Sequence, residues 1–409
     1  MKEFFKVTDL ERVLEYRSDF SLVAIEEVSL FDATGRVLAA DILSQVDLPD
    51  FPRSTMDGYA VCAISTFGAS EGNPAYLTVK GTVLMGESPG FFIGPGEAVR
   101  ISTGGMLPDG SDSVVMIEHT ETIDDTTIEV YKSIAPGQHV IAVGEDIKKG
   151  EAILFCGQKL RPQETGLLAA LGHAVVKVYK KPVIGIISTG DEVVPVNEVP
   201  GPGRIRDINT YTLAALVKDA GGVPVSYGIV KDNYDLLFEK SNLALTQSDM
   251  VLISGGSSVG VRDFTMDVVS ALPDPSLLVH GISISPGKPT ILAKVRDRAF
   301  WGLPGHVVSA MVVFEVVVRP FIEYIGGLSL KYKRSLKVPA LLSRNISSAQ
   351  GRRDYIRVRL IKKGDDLWAE PILGKSGLIN TMIKADGLIE IDINTEGLDQ
   401  GSRVEVIAL

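Results

Sequence analysis

Pro182-Val183-Ile184-Gly185-Ile186-Ile187-Ser188-Thr189-Gly190-Asp191-Glu192 is an apolar run that breaks into hydroxyls, a glycine and two carboxylates. The run is short and rich in β-branched side chains, which predicts a buried strand. Similar units follow it. Thr210–Ala220 predicts a helix with Leu213, Leu216, Val217 and Ala220 on one face and Gly221 past its end. Val223–Val230 predicts a strand ending in Lys231-Asp232-Asn233, and Asp249–Ser254 another, ending in Gly255-Gly256-Ser257-Ser258-Val259-Gly260. A helix is expected from near Asp263, strands at 277–284 and 290–295, and an apolar helix at 307–318 after Leu303-Pro304-Gly305-His306. Strands alternating with helices imply βαβ units, hence a parallel sheet with right-handed crossovers and helices on both faces.

Outward from this doubly wound α/β domain the texture changes. Thr8-Asp9-Leu10-Glu11 has the form of a capping box, with Leu10, Val13 and Leu14 at helical spacing. Phe31–Leu43 reads as a second helix running into a strand, and Leu48-Pro49-Asp50-Phe51-Pro52 as a boundary. Residues 53–137 alternate short β runs (Tyr76–Leu84, Ala98–Ser102, Ser113–His119, Thr127–Tyr131) with turns such as Asp57-Gly58 and Pro108-Asp109-Gly110. Residues 138–180 return to mixed structure, with Pro162 and Gly172 suited to the two ends of a helix. The β module is therefore expected as an insertion. Residues 330–409 are β again, with strands at Leu336–Leu342, Tyr355–Ile361, Leu367–Pro371, Leu388–Ile393 and Arg403–Ile407. The fold class is multidomain α/β plus all-β.

Composition narrows the function. The 409 residues carry 41 Lys+Arg against 51 Asp+Glu, a net charge of −10, and are 45% hydrophobic. Such a chain has cores to bury and is not disordered. Without a basic run it suits neither non-specific nucleic-acid binding nor a nucleic-acid partner. Two cysteines, Cys62 and Cys156, make no disulfide framework or zinc ribbon. No signal-peptide core and no unbroken apolar span is present, so no membrane partner and a cytoplasmic location are expected.

In an open α/β sheet, ligands bind beyond the carboxyl ends of the strands. Four loops belong there: Ser188, Thr189 and Gly190 with Asp191 and Glu192; Gly255–Gly260; Pro286-Gly287-Lys288-Pro289; and Pro304-Gly305-His306. Closely spaced glycines, hydroxyls from Ser257 and Ser258, and the Lys288 charge suit a phosphate-bearing ligand. Glu192, Asp232 and Asp263 at strand-to-loop transitions suit Mg²⁺ or a general base. Their plain structural readings are a turn at Asp232 and a helix cap at Asp263. A P-loop is excluded, because Val261 and Arg262 stand where it needs Lys and Ser/Thr. Gly256-Ser257-Ser258-Val259-Gly260 also fits a hydrolase nucleophile elbow, with Ser258 served by His280 or His306. An elbow runs straight into its helix, and Val261 and Arg262 intervene here. In the β module, Arg53-Ser54-Thr55-Met56-Asp57-Gly58-Tyr59 gathers polar groups in one turn, read plainly as a type I′ hairpin. Ser102-Thr103-Gly104 is another glycine-hydroxyl turn.

Taken in order, Ser54–Ala60, Ser102-Thr103-Gly104, Gly144-Glu145-Asp146, Ser188–Glu192, Ser254–Gly260 with Asp263, Pro286–Pro289 and Gly302–Gly305 resemble the molybdopterin molybdenumtransferase family, MoeA and the gephyrin E domain. The resemblance covers essentially the whole chain. It implies an elongated domain I (1–50 and 138–176), a β-rich domain II (51–137), a domain III like molybdopterin adenylyltransferases (177–328) and a C-terminal β-barrel, domain IV (329–409). It implies a homodimer whose clefts pair domain III of one subunit with domain II of the other, and transient contact with a molybdopterin adenylyltransferase. The implied reaction inserts molybdate into adenylylated molybdopterin and releases AMP, with Mg²⁺ or another divalent cation.

Asp57, Thr103, Glu192, Asp232, Asp263, Lys288, Pro304, Arg357 and Ser376 match family functional positions. On this resemblance Asp232 and Asp263 hold the metal or position water. Gly255, Gly256, Ser257, Ser258, Gly260 and Lys288 hold phosphate. Asp57 and Thr103 orient molybdate or the dithiolene. Three departures stand out: Ser285 where many members have Lys, His306-Val307 where Asn-Pro is common, and Ile141-Ala142-Val143 where arginines are frequent. Lost cations suit a tungstate-preferring version or a non-catalytic, molybdopterin-binding scaffold as alternatives to the transferase.

Overall fold

The structure is a computed structural model and describes residues 7–255, 264–334 and 336–409. It divides into two compact units. One comprises residues 41–155 with 170–172, and the other the remainder of the chain.

The larger unit is built on a six-stranded sheet. Its elements are β1 (Val183–Thr189), α1 (Asn209–Asp219), β2 (Val223–Val230), α2 (Tyr234–Gln247), β3 (Met250–Ser254), α3 (Phe264–Ala271), β4 (Pro275–His280), β5 (Ile291–Val295) and β6 (Arg298–Leu303). The strand order is β2-β1-β3-β6-β5-β4. The first four strands are parallel, whereas β5 runs antiparallel to β6 and β4 antiparallel to β5. The expected all-parallel sheet is thus corrected to a mixed one, with β6 an additional strand. Tight β5–β6 pairing needs only the Arg296-Asp297 turn, with Arg296 at φ 55°, whereas a parallel neighbour would need a crossover.

Alternation along these strands sorts two cores. Ile184, Ile186, Met250, Leu252 and Trp301 face Leu213 and Val217 of α1 and the segment 307–325. Ile187, Val251, Ile253 and Phe300 face Leu237, Ala244 and Leu245 of α2 and Val268 and Val269 of α3. Helices therefore cover both faces, as expected for a doubly wound domain. The apolar helix expected at 307–318 runs further, as α4 (Val307–Val313), a π turn (Phe314–Val318) and α5 (Arg319–Ile325). Pro320, which has no N–H to donate, follows the π turn.

The C-terminal strands are β7 (Lys337–Leu342), β8 (Arg353–Lys363), β9 (Asp366–Pro371), β10 (Gly387–Ile391) and β11 (Arg403–Ala408). They run in the order β8-β9-β7-β11-β10, and pairing of β10 with β8 closes the barrel. Leu342, Val358, Ala369, Ile389 and Val406 fill it.

Two N-terminal expectations fail. Thr8 caps no helix. Its N–H donates to the Gly281 carbonyl (2.9 Å), its carbonyl accepts from Ser283 N–H (3.0 Å), and Glu11 pairs with Arg353. Phe31–Leu43 is not a helix but a single 3₁₀ turn over Leu30–Asp32, followed by Gly35 at φ 81° and a strand at Ile42–Leu43. Phe31 stands 99% exposed and packs on nothing. The helix between Pro162 and Gly172 forms over Pro162–Ala170.

The smaller unit holds its own six-stranded sheet, in the order Ser113–Met116, Gly58–Val61, Glu97–Ile101, Ala75–Thr82, Thr127–Val130, Thr120–Asp124. Asp57-Gly58 is therefore not a hairpin tip. Gly58 begins an interior strand, where a Cβ would run into the Val115 carbonyl. This unit has 6 Lys+Arg against 17 Asp+Glu and so carries all the net negative charge, leaving the larger unit with 35 against 34. No helix among the described residues is long and apolar enough to cross a membrane.

Candidate functional site

Register sets the site. Ser188 pairs with Ser254, and Ser254 with Leu303, so the loops after β1, β3 and β6 leave the sheet from one row. They open on a cleft of about 1090 Å³ within the larger unit. Ser188, Thr189, Gly190 and Glu192 form one wall of it, and Asp232, Gly255, Lys288, Pro304, His306 and Ser376 also line it.

Each group is held by its own chain segment. Gly255 sits at φ 107°, where a Cβ would stand 2.5 Å from the Thr189 carbonyl oxygen and 2.6 Å from Thr189 Oγ1. Only glycine lets the first and third loops touch there. The Glu192 carboxylate folds back over Gly190. Asp232 N–H donates to Asp191 Oδ1 (3.2 Å), while Lys231 Nζ donates to the carbonyls of Asp191 (3.1 Å) and Val193 (3.2 Å). Asp191 thus anchors the turn that presents Asp232. The Lys288 carbonyl accepts from Ile282 N–H and Thr290 N–H, both at 2.9 Å, and its exposed ammonium is left to the cleft.

The barrel supplies the opposite rim. Ser376 Oγ lies 2.9 Å from His306 Nδ1, and the Ser376 carbonyl accepts from Val308 N–H (3.0 Å). Arg357 does not line the cleft. It stands behind the rim, donating from Nη1 to Thr381 Oγ1 (2.7 Å) and from Nη2 to the Gly374 carbonyl (2.9 Å). Burial pulls its pKa down from the usual arginine value.

Asp57 and Thr103 come together in the smaller unit. Asp57 Oδ1 accepts from Thr103 N–H (2.7 Å) and Thr103 Oγ1 (3.1 Å). Gly256, Ser257, Ser258, Gly260 and Asp263 lie outside the described residues, as does the serine of the hydrolase reading.

Four residues of the cleft wall were missed in the sequence. Asp207 is buried, and its Oδ1 accepts from Ser188 Oγ (3.2 Å) and Thr210 N–H (3.1 Å), which caps α1. Asn209 begins α1. Arg206 donates from Nε to the carbonyls of Val196 (3.1 Å) and Glu198 (3.0 Å), and Arg352 pairs with buried Asp354 (3.0 Å). With Lys288, these two arginines set three cations in the wall against the carboxylates of Glu192, Asp207 and Asp232.

Among the described residues no group of three His, Cys, Asp or Glu is placed to hold a metal ion. Mg²⁺ needs no such cage, because it commonly takes one or two carboxylates and completes its shell with phosphate oxygens and water. Asp232 is one carboxylate that lines the cleft.

Three family models match the chain end to end. They are the MoeA N-terminal region (domain I and II) over residues 8–172, a probable molybdopterin binding domain over 185–324, and the MoeA C-terminal region (domain IV) over 339–409. A putative molybdopterin biosynthesis protein of Methanocaldococcus jannaschii is 38% identical, over 98% of this chain and 95% of its own. The molybdopterin molybdenumtransferase of Bacillus subtilis is 32% identical, over 94% and 90%. A MoeA crystal structure from Pyrococcus horikoshii superposes with a TM-score of 0.81 at 39% identity, covering 98% of this chain and 99% of that one. The fold and cleft define a multidomain protein built around a molybdopterin-binding α/β domain. The chain belongs to the MoeA family.

Proposed function

We propose that this protein inserts molybdate into adenylylated molybdopterin and releases AMP. It is a transferase of molybdenum cofactor biosynthesis. One observation carries the finer reading: the loops of three adjacent strands, Lys288 and Asp232 converge on one cleft large enough for a nucleotide joined to a pterin.

In this reading Lys288 and the backbone at Gly255 hold the phosphates, a role shared by Gly256, Ser257, Ser258 and Gly260 of the same sequence motif. Asp232, with Asp263, would hold Mg²⁺, which would supply charge compensation for the phosphate oxygens. Glu192 orders water at the cleft mouth. Asp57 and Thr103, already hydrogen-bonded, orient molybdate at the dithiolene in a homodimer where they serve the partner's cleft. The protein acts in the cytoplasm, in transient contact with the adenylyltransferase that supplies its substrate, and its chain divides into the four domains bounded above.

The test is molybdate-dependent AMP release by purified protein with Mg²⁺. Asp232→Ala and Lys288→Ala should each lose more than about tenfold, as expected when a charged contact to phosphate is removed. Release independent of molybdate, or unaffected by either substitution, would refute the reading. A mixture of Asp57→Ala and Asp232→Ala subunits that regains activity would support the shared dimeric site.

A further inference from the structure

Asn209 belongs to none of the motifs, yet three cleft loops meet at its amide. It follows the β1 loop, at the first position of α1. Its Nδ2 donates to Ser254 Oγ (2.5 Å), at the end of β3, and to the Gly305 carbonyl (2.8 Å), in the loop after β6. A carbonyl only accepts, so the Gly305 contact fixes which end of the amide faces the cleft loops.

We propose that Asn209 is a positioning residue that clamps the loop bearing Gly255 to the loop bearing Pro304 and His306, and so sets the width of the substrate cleft. The proposal rests on reading that cleft as the substrate site. A backbone hydrogen bond also joins these two segments, from Gly255 N–H to the Leu303 carbonyl at 3.3 Å. That is long for such a bond. The two loops also approach closely, since a Cβ on Gly305 would stand 3.6 Å from Gly255 Cα.

Helix formation does not require this amide. Asp207 already caps Thr210 N–H, and α1 is pinned by buried Leu213 and Val217. Ser254 is 1% exposed, so its hydroxyl needs a partner within the protein, and Asn209 provides one. A ligand seated between Gly255 and Pro304 meets a gap whose span is set by two hydrogen bonds from one side chain.

The test uses Asn209→Ala and Asn209→Asp in the full-length protein. Aspartate keeps the shape but has no donor, so the bond to the Gly305 carbonyl is lost without opening a cavity, while Ser254 Oγ can still donate to the carboxylate. Backbone hydrogen exchange reads the clamp with no ligand present. Residues 303–308 should exchange about tenfold faster in both variants, while 210–219 stay unchanged, the size expected for losing a net hydrogen bond or two. With adenylylated molybdopterin and molybdate, KM should rise about tenfold and kcat stay within about twofold, because ligand fit rather than chemistry is altered.

Unchanged exchange at 303–308 in Asn209→Asp would overturn the proposal, and so would faster exchange with an unchanged KM. If wild-type protein shows no turnover, the proposed function fails, and exchange alone still decides the clamp. Should Asn209→Ala not fold, Asn209→Asp carries the test, and Ser254→Ala, which removes one of the two bonds, should give an intermediate rise in exchange.

Discussion

Arg357→Lys separates two roles that arginine can play beside an anion site. If Arg357 acted as a charge for the ligand, lysine would keep most of the effect. The structure instead has its guanidinium behind the rim, spanning Thr381 Oγ1 and the Gly374 carbonyl on opposite sides of the loop that presents Ser376. A planar fork can bridge both acceptors, whereas an ammonium on a flexible stem holds one well. A hydrogen bond from a charged donor contributes about 1.5–3 kcal/mol. Losing one of the two should therefore cost about 2 kcal/mol of stability in Arg357→Lys, and losing both about 3 kcal/mol or more in Arg357→Ala. Urea unfolding reads this as a lower midpoint at unchanged slope. Because the loop carries Ser376 to His306, substrate KM should rise in both variants, and more in alanine. Arg357→Lys matching wild type in both midpoint and KM would refute the propping role.

Gly255→Ala should cost at least about 1–2 kcal/mol from the left-handed backbone alone, before its collision with Thr189. Urea unfolding would show that cost, and KM should rise with it. Glu164 is buried at the start of the Pro162–Ala170 helix, and hydrogen bonds from the Arg161 side chain hold its carboxyl below the usual carboxylate range. A depressed carboxylate stabilises the fold above its unfolded value of about 4.5 and loses that contribution as pH falls through its folded pKa. Glu164→Gln should lower stability by about 1–2 kcal/mol at pH 7 and flatten the decline below pH ~4.5, both visible in unfolding midpoints at pH 7 and pH 3. His306→Ala and Ser376→Ala should be non-additive in substrate binding, with a coupling of about 0.5–1.5 kcal/mol. Strict additivity would mean that the 2.9 Å contact contributes nothing.

The parallel core was legible because burial on both faces leaves an unbroken apolar signature, as in Pro182–Ile187 and Met250–Ile253. β6 was not, because Arg298-Ala299-Phe300-Trp301-Gly302-Leu303 mixes a charge and a glycine into a strand whose apolar character comes from two aromatic side chains facing different cores. Motif residues came together where backbone geometry demands them, as Gly255 and Lys288 do. Asp207 and Asn209 escaped because their partners, Ser188, Ser254 and Gly305, are distant in sequence, and Gly201–Ile208 between strand and helix reads only as loop. Arg357 was placed at the site because its position matches the functional pattern of the family. Its actual partners are two neutral oxygens that no sequence spacing reveals. Thr8 and Phe31 show the converse, where an expected helix cap and an expected helix gave way to pairing with Ile282 and to the turn at Gly35.

The row formed by Ser188, Ser254 and Leu303 divides the α/β domain into regions with different tolerance for change. Below it, deleting one residue from β1, β3 or β6 would swap the side chains destined for the two cores, and the domain would lose both at once. Above it, substitutions alter what meets the ligand while leaving every strand in register. The departures at Ser285, His306 and Val307 all lie outside those three strands. Ligand preference in such a scaffold can drift through single exchanges at its loops, each tested by selection against an unaltered frame.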